Sequence, residues 1–243
     1  MPIRIRQHVN PLARKFQQPI AVPNWQDIYA QVDRPWHLDI GCARGKFLLD
    51  MAKSNPEVNF LGIEIRSSLV ELANRERDQF NLTNLHYLFG NMNSSAPVIL
   101  ESLPVNSLHT ISIQFPDPWF KKKHNKRRVV QPELVTILVD YLVPGGKVFL
   151  QSDIKEVAEQ MRDRFLMHSL MGQRACPHVT PKTAVHRFAA NLQLKQQHQT
   201  TWLEHNPFPV ATERELYVLA QDLPVYRALF QKTVGANGRS PLN

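Results

Sequence analysis

The sequence predicts an α/β fold with a mostly parallel sheet and helices on both faces. The first observation behind this fold class is that strand-like and helix-like segments alternate from residue 36 to residue 152. Strand–helix–strand units at this spacing form parallel sheets with right-handed crossovers. The second observation is that 43% of the 243 residues are hydrophobic, which is enough to bury a sizeable core.

Three strands and two helices are predicted in the first half of the sheet. The strands cover residues 36–40, 59–65 and 85–89, and the helices cover residues 46–53 and 67–80. The first strand ends at a glycine turn. The second helix begins with a serine cap and carries apolar residues at roughly helical spacing.

Two more strands and two more helices are predicted in the second half. The strands cover residues 107–115 and 145–152, and the helices cover residues 132–142 and 154–170. The first of these helices has proline in its first turn, where the missing N–H costs nothing. Farther along, residues 213–220 are predicted to be a late strand and residues 224–232 a short closing helix.

A single domain with a basic N-terminal arm is the simplest division of the chain. The arm covers residues 1–30, the domain residues 31–232 and the tail residues 233–243. Within the domain, residues 174–206 are rich in Gln, His and Thr and lack clear periodicity. This stretch is interpreted as an unassigned insertion.

The positive charge of the chain is concentrated in two short segments. The chain has 29 basic and 21 acidic residues, a formal net charge of +8. Residues 1–15 contain four cations and residues 121–128 contain six, and neither segment has an acid. Without these ten cations, 19 basic residues remain against 21 acidic ones. Such a concentrated field favours a polyanionic partner, most simply a nucleic acid, over a solvated charge run.

The composition also excludes several classes of protein. Two cysteines, Cys42 and Cys176, are too few for a disulfide framework or a thiolate zinc cluster. The histidines lack metal-ligand spacing, so no metal site is predicted. No apolar run approaches the roughly 18 residues of a membrane helix, and no secretory signal precedes the domain. The sequence therefore predicts a reduced, cytoplasmic protein with no membrane partner.

The first predicted strand ends in a glycine turn with acids on either side. The turn reads DIGCARG at residues 39–45, and Glu64 ends the second strand 19 residues beyond Gly45. Backbone N–H groups in such a turn can approach a ligand closely, and a carboxylate at Glu64 can accept both hydroxyls of a ribose. Asp39, two positions before Gly41, suits S-adenosylmethionine better than a dinucleotide, because the G-x-G-x-x-G pattern is missing. The alternative hypothesis is that Gly41 and Gly45 only permit a tight turn, which binds no ligand.

The loop after the fourth strand contains a carboxylate, aromatic residues and the second basic segment. Asp117 lies between two prolines, which restrict the direction of its side chain. Trp119 and Phe120 follow, and an aromatic ring here can stack on a base or pack in the core. The six cations of residues 121–128 can bind phosphates. Ligands in open α/β sheets bind beyond the carboxyl ends of the strands, where this loop is expected.

Several strings in the chain resemble the tRNA (guanine-N7)-methyltransferase family. The longest is FPDPWFKKKHNKRRVVQPEL at residues 115–134, after DIGCARGKF at 39–47 and LGIEI at 61–65. QSDIKEV at 151–157, ATERE at 211–215 and RQHVNPL at 6–12 are also similar to family motifs. The resemblance covers roughly residues 4–220.

This resemblance implies a Rossmann-like class I methyltransferase that uses S-adenosylmethionine, without a metal, to make 7-methylguanosine in tRNA. The family's usual target is position 46 of the variable loop. The motifs carry cofactor-binding roles to Asp39, Gly41, Glu64, Asn91 and Asp117, and substrate-binding roles to Lys121, Asp153, Thr212, Glu213, Arg214 and Glu215. Many relatives have an acid at the position of Asn91, whose amide can also pair with an adenine edge.

The chemistry of the expected reaction assigns Asp117 an orienting role. Guanine N7 has a lone pair and no proton, so methyl transfer needs no general base, and the product ring is cationic. Asp117 is therefore predicted to be the catalytic residue that orients the guanine and stabilises the product charge. A nicotinamide-dependent oxidoreductase and a non-catalytic RNA-binding module are the rival hypotheses. The oligomeric state is left open between monomer and homodimer.

Overall fold

The computed structural model describes residues 9–171, 193–196 and 202–233. The strands are β1 (Trp36–Ile40), β2 (Asn59–Glu64), β3 (Leu85–Phe89), β4 (Leu108–Gln114), β5 (Lys147–Ser152), β6 (Gln193–Gln196) and β7 (Tyr226–Thr233). The helices are α1 (Lys46–Ser54), α2 (Ser67–Gln79), α3 (Met92–Ser102), α4 (Pro132–Tyr141), α5 (Lys155–Met171) and α6 (Glu213–Leu219). The predicted tail, except Thr233, and most of the predicted insertion at 174–206 lie outside the described residues.

The strands of the described ranges form one sheet in the order β3-β2-β1-β4-β5-β7-β6. β1 to β5 are parallel, and β7 runs antiparallel to both β5 and β6. The chain order reverses between β1 and β4, which makes their carboxyl ends the topological switch point of the sheet, where open α/β folds bind ligands. This architecture confirms the predicted mostly parallel, Rossmann-like class I methyltransferase fold.

Helices cover both faces of the sheet. α1 and α2 pack on one face, where Leu48 of α1 and Ala73 of α2 belong to one buried cluster. α3, α4 and α5 pack on the other face, with Ile99, Leu138 and Phe165 buried in the larger cluster. Because β1, β2 and β5 are covered on both faces, they are buried along their whole length except at Lys147, and their polar residues are buried with the apolar ones.

The N-terminal residues that the structure describes pack against the domain. Trp25 and Tyr29 are buried beside Trp36 of β1. Trp25 donates from Nε1 to Ser102 at the end of α3, and the Tyr29 hydroxyl donates to the carbonyl of Phe60 in β2. Residues 9–30 thus contribute aromatic side chains to the core, although they are part of the predicted arm.

The predicted strand at residues 213–220 is wrong, because this segment is helix α6. Thr212 caps the helix by accepting a hydrogen bond from the backbone of Glu215, and the first turn carries two acids. Both features stabilise a helix N-terminus. The buried residues Glu215 and Val218 are three apart, which is a helical rather than an alternating pattern.

The predicted closing helix at residues 224–232 is also wrong, because residues 226–232 belong to strand β7. β7 lies between β5 and β6, so both of its edges form ladder hydrogen bonds. Tyr226, Phe230 and Thr233 favour strands. Pairing with β5, which is far away in sequence, overrides the helical pattern.

Helix α3 is not predicted from the sequence, although a crossover between β3 and β4 is required. It contains Pro97, which normally disfavours a helix interior because it removes a hydrogen bond. Asn91 caps the helix, while Ala96 and Ile99 are fully buried. Core packing and the cap together stabilise the helix despite the proline.

Candidate active site

The turn between β1 and α1 has the backbone conformation of a ligand-binding turn. Gly41 and Gly45 have φ of 83° and 75°, and Ala43 has φ of 50°. A Cβ at Gly45 would lie 2.5 Å from the ring of Tyr87, whose hydroxyl donates to the carbonyl of Gly45. At Gly41, by contrast, no described atom lies within 4 Å of the position that a Cβ would take. The turn is therefore held in place at Gly45 by Tyr87, whereas the space beside Gly41 is open.

Asp39 is a buried carboxylate at the end of β1. Its Oδ1 accepts a 2.6 Å hydrogen bond from Ser112 and a 3.5 Å hydrogen bond from Gln114. Burial raises the pKa of Asp39 to about 6, although these hydrogen bonds oppose the shift. His37 lies 2.8 Å from the Ser112 hydroxyl, and burial lowers the pKa of His37 to about 3. A neutral imidazole N–H can thus donate to Ser112, which directs the hydroxyl proton to Asp39.

Glu64 is a second buried carboxylate, at the end of β2. Its Oε2 accepts from the backbone N–H of Ala43 at 3.0 Å, so it stabilises the neighbouring turn. The guanidinium of Arg66 donates to both of its oxygens, at 2.9 and 3.1 Å. Burial lowers the pKa of Arg66, but the contacts with Glu64 and the charge of Asp117 outweigh it and raise the pKa overall. Arg66 thus links Glu64 to Asp117, two of the three acids of the predicted site.

Asn91 follows β3 and is fully engaged by the protein. Its Oδ1 accepts from the backbone of Asn93, while its Nδ2 donates to the carbonyls of Pro11 and Phe16. Phe16 is buried and packs edge-on against Phe89 at the end of β3. Asn91 therefore ties the N-terminal segment to the end of β3, beside its predicted cofactor position.

The Asp117 loop is held in a strained backbone conformation. Phe115 and Trp119, on either side of the PDP segment, have φ of 48° and 42°. For bulky residues such left-handed conformations cost roughly 1–3 kcal/mol each and cluster at functional sites. The backbone N–H of Phe115 donates to the carbonyl of Gln151, which fixes the start of the loop to β5.

The basic segment forms a short 3₁₀-helix at Lys122–Arg127. The solvent-exposed cations are Lys121, Lys122, Lys123 and Lys126. Trp119 packs beneath this turn, with the Arg127 guanidinium 4.9 Å from its ring centre and His124 edge-on at 5.6 Å. The four lysines thus lie together on and directly before one turn that follows Asp117 along the chain.

Arg128 departs from the prediction for the basic segment, because it is buried rather than available to a phosphate. Only 4% of its surface is exposed. Its Nε donates to the carbonyl of Pro118, and its terminal nitrogens donate to Gln160 and Glu156 of α5. Arg128 therefore anchors the Asp117 loop to α5.

Four of the predicted substrate residues lie together, directly after β5 and at the start of α6. The Asp153 carboxylate accepts from Arg214 at 2.5 Å, and Arg214 also lies over the ring of Tyr217. Thr212 caps α6, and Glu213 is exposed. The side chains of Glu213 and Arg214 are accessible to a large substrate, whereas Asp153 is half-buried beneath Arg214.

Glu215 is 1% exposed and lies within a buried polar network. Its Oε1 accepts from Arg227 at 2.7 Å, and its Oε2 accepts from Asn206 at 2.7 Å and Gln151 at 3.1 Å. The network continues to Gln114, which receives a hydrogen bond from Gln151. The structure thus places Glu215 among protein donors, away from the accessible surface.

The carboxyl edge of the sheet brings the predicted residues together in two groups. Asp39 and Glu64 lie at adjacent strand ends, and Asp117 follows β4 on the other side of Asp39. The residues after β5 and in α6 form the second group. The sequence did not reveal the roles of Arg66, Arg128 and the buried glutamines. Only Arg66 could have been found, because it follows Glu64, the predicted ribose ligand, by two positions.

The described ranges contain neither a side-chain cluster suited to a metal ion nor a helix suited to a membrane span. No group of three or more His, Cys, Asp or Glu side chains within them could hold a metal ion. None of the helices within them combines the length and apolarity that a membrane crossing requires.

Comparison with known proteins places the chain in one family. Residues 33–177 match the family model described as "Putative methyltransferase". The chain is 52% identical over 229 residues to a tRNA (guanine-N(7)-)-methyltransferase of Microcystis aeruginosa, covering 94% of this chain and 98% of that one. It is 52% identical to the enzyme of that name from Thermosynechococcus vestitus, with 96% of both chains covered. It is 49% identical to the one from Synechocystis, with 95% of this chain and 98% of the relative covered. Because about half of its residues are identical to those of these relatives over nearly its whole length, the chain belongs to the tRNA (guanine-N(7)-)-methyltransferase family.

Proposed function

We propose that the protein transfers the methyl group of S-adenosylmethionine to N7 of a guanine in tRNA, at position 46 of the variable loop. The observation that carries this proposal is the arrangement at the switch point of the sheet. Two buried carboxylates, Asp39 and Glu64, lie beside an open glycine turn, and the strained Asp117 loop leads directly into four exposed lysines. A nucleoside site and a polyanion surface thus adjoin each other. The predicted cytoplasmic location is part of the proposal.

The residues of the first group fit a nucleoside cofactor. Asp39 and Glu64 are hydrogen-bond acceptors, as an ammonium group and ribose hydroxyls require, and the open space at Gly41 lets a ligand approach the backbone. Glu64 can hold the ribose once the guanidinium of Arg66 gives up one of its hydrogen bonds with the carboxylate. Asn91 would lie beside the adenine with its backbone, because its side chain is used to cap α3. When bound, S-adenosylmethionine supplies an electrophilic methyl group on a sulfonium.

Asp117 is proposed to orient the guanine. A carboxylate can accept from guanine N1–H and from the exocyclic amine, and its negative charge stabilises the cationic ring of the product. Because N7 carries no proton, no group has to remove one before the displacement. The protein's work is to align the base with the methyl group and to exclude other orientations, for which a loop anchored by Gln151 and Arg128 is suited.

The exposed lysines and the second group are proposed to bind tRNA. The lysines at 121–123 and 126 would contact phosphates, and Lys121 is the nearest of them in sequence to Asp117. Asp153, Thr212, Glu213 and Arg214 would contact the nucleotide that carries the guanine, with Arg214 exchanging its partner Asp153 for a phosphate. The buried Glu215 would hold the 212–215 turn in place for these contacts.

Mass spectrometry of digested tRNA tests this function. An unmodified tRNA transcript is incubated with the protein and S-adenosylmethionine, and 7-methylguanosine is expected among the nucleosides. A transcript with adenine in place of guanine 46 should yield none. Absence of 7-methylguanosine from the first transcript would contradict the activity, and its persistence in the second would contradict the position alone.

A further inference from the structure

A chain of buried amides connects the two groups of the sheet edge. Gln114 ends β4 and Gln151 lies opposite it in β5, so their side chains meet across the ladder. Gln151 is fully buried and Gln114 is 8% exposed. Gln114 reaches Asp39 at one end of the chain, and Gln151 reaches Glu215 and Arg227 at the other.

The direction of every hydrogen bond in this chain follows from its two ends. Arg227 can only donate, so the atom of Gln151 facing its Nε, at 3.3 Å, must be the amide oxygen. The amide nitrogen of Gln151 then donates to Glu215 at 3.1 Å and to the amide oxygen of Gln114 at 2.7 Å. The nitrogen of Gln114 is left for Asp39, which can only accept when ionised. Each glutamine therefore has a single orientation that satisfies its partners.

Such a chain of hydrogen bonds restricts the positions of its side chains more than it stabilises the fold. An apolar pair across β4 and β5 would fill the same space without desolvating polar groups, as Ile113 and Leu150 do one position earlier. A fully satisfied polar network, by contrast, permits one arrangement of its members. Here the members belong to five separate elements: β1, β4, β5, β7 and the first turn of α6.

We propose that Gln114 and Gln151 are positioning residues that hold Glu215, and with it the 212–215 turn, in a defined place relative to Asp39. Since Asp39 belongs to the proposed cofactor side and the turn to the proposed tRNA side, each ligand stabilises the one arrangement of this chain that the other ligand also requires. The ligand that binds second no longer has to hold the chain in that arrangement, so each should strengthen the binding of the other. This inference rests on the proposed function.

Calorimetric binding of S-adenosylhomocysteine, with and without saturating tRNA transcript, tests the proposal without requiring turnover. For the wild type, we expect tRNA to tighten S-adenosylhomocysteine binding by about fivefold or more, the usual lower range of coupling between sites. In Gln151→Met, which keeps the volume but removes the amide, the factor should fall to about one. The affinity without tRNA should change less than about threefold, because Asp39 keeps Ser112 as a donor.

A matched control is Asn84→Ala, which removes another buried amide. The Asn84 amide donates to three carbonyls, those of Ala52, Asn55 and Val58, well away from the chain of glutamines. This variant should lower the melting temperature and leave the coupling factor unchanged. Gln114→Met should abolish coupling as Gln151→Met does, and the double variant should lose no more, because both act in one chain.

Three results would overturn the proposal. They are an uncoupled wild type, a Gln151→Met variant that keeps the wild-type coupling factor, and a loss in Asn84→Ala equal to that in Gln151→Met. None of them bears on whether 7-methylguanosine is made. Conversely, a wild type that binds both ligands with coupling but makes no 7-methylguanosine contradicts the proposed function only.

Discussion

The proposed cofactor side of the sheet edge, with Asp39 and Glu64, and the proposed tRNA side, with Glu215 and the exposed lysines, are built in different ways. On the cofactor side, the two acids lie at the ends of adjacent parallel strands, where Glu64 is held by Arg66 and the N–H of Ala43, and Asp39 by Ser112 of β4. On the tRNA side, Glu215 lies in a helix and is held by the side chains of Asn206, Gln151 and Arg227. The position of the first two acids thus follows from the parallel strands, whereas that of Glu215 depends on contacts of α6 with β5 and β7.

The second difference is exposure. The cofactor-side acids are buried, at 4% and 3% exposed, while the lysines of the tRNA side project into solvent. A small ligand can be enclosed, so its recognition depends on a few desolvated hydrogen bonds. A large polyanion is bound at the surface by many screened charges. Mutations on the two sides should therefore affect different measurable quantities.

The largest effect is expected at the junction of the two sides, for Asp117→Asn. The substitution removes the charge and presents a donor to the guanine donors, so turnover should fall by roughly 10²-fold or more. Overall tRNA affinity should be nearly unchanged, because phosphate contacts dominate it. Single-turnover methylation assays measure the loss. A near wild-type rate would show that Asp117 does not orient the base.

The same role can be tested from the substrate. Inosine lacks the exocyclic amine, so a tRNA with inosine at the target should be methylated more slowly than one with guanine by the wild type. In Asp117→Asn the difference should shrink, since the contact that inosine lacks is already absent. Equal rates for the two bases in the wild type would contradict the contact.

The next largest effect is expected on the cofactor side, for Glu64→Ala. Loss of a hydrogen-bonding carboxylate should weaken S-adenosylmethionine binding by about 1.5–3 kcal/mol. The substitution also removes the contacts of Glu64 with Arg66 and with Ala43, so Glu64→Gln, which keeps the shape, is the companion variant. Calorimetry is the measurement, and unchanged affinity in both variants would exclude a ribose contact.

A smaller effect is expected on the tRNA side, for the triple variant Lys122→Ala, Lys123→Ala and Lys126→Ala. It should weaken tRNA binding by about tenfold at moderate salt and reduce the slope of log affinity against log salt by about 2. Cofactor binding should not change. Lys147→Ala is the control, because this exposed lysine begins β5 at the opposite edge of the sheet. A triple variant with the wild-type slope would rule out phosphate contacts at these lysines.

The smallest effect is a pH dependence confined to the cofactor side. The pKa of Asp39 is raised by burial from 3.8 to about 6, so the carboxylate gains a proton as pH falls through 6. If only the ionised form accepts from the cofactor, S-adenosylmethionine affinity should be about fourfold weaker at pH 5.5 than at pH 7.5. The stability contribution has the opposite sign: the fold favours the neutral acid, so this contribution increases as pH falls from 6 towards 3.8. Asp39→Asn should remove the pH dependence of affinity, and a flat wild-type profile would contradict the assignment.

The same comparison explains how well the sequence predicts each side. The first five strands and their turns are predicted because alternating apolar runs and a glycine turn are local signals. The assignments of residues 213–220 and 224–232 are wrong, because both segments owe their structure to contacts with β5 and its surroundings. Arg128 shows the same limit, since a basic run does not reveal which of its cations is buried against α5.

The sequence by itself determined the fold class and the family, and it indicated Asp39 and Glu64 as candidate cofactor acids, because motifs and periodicity lie in contiguous residues. Only the tertiary structure decided that Arg66 pairs with Glu64, that Asn91 ties down the N-terminal segment, and that Glu215 is buried among donors. These are pairings between side chains that the folded sheet brings together. A buried polar group must be hydrogen-bonded, and its partner is whichever group the packing of the fold brings beside it. Sequence spacing does not specify that partner.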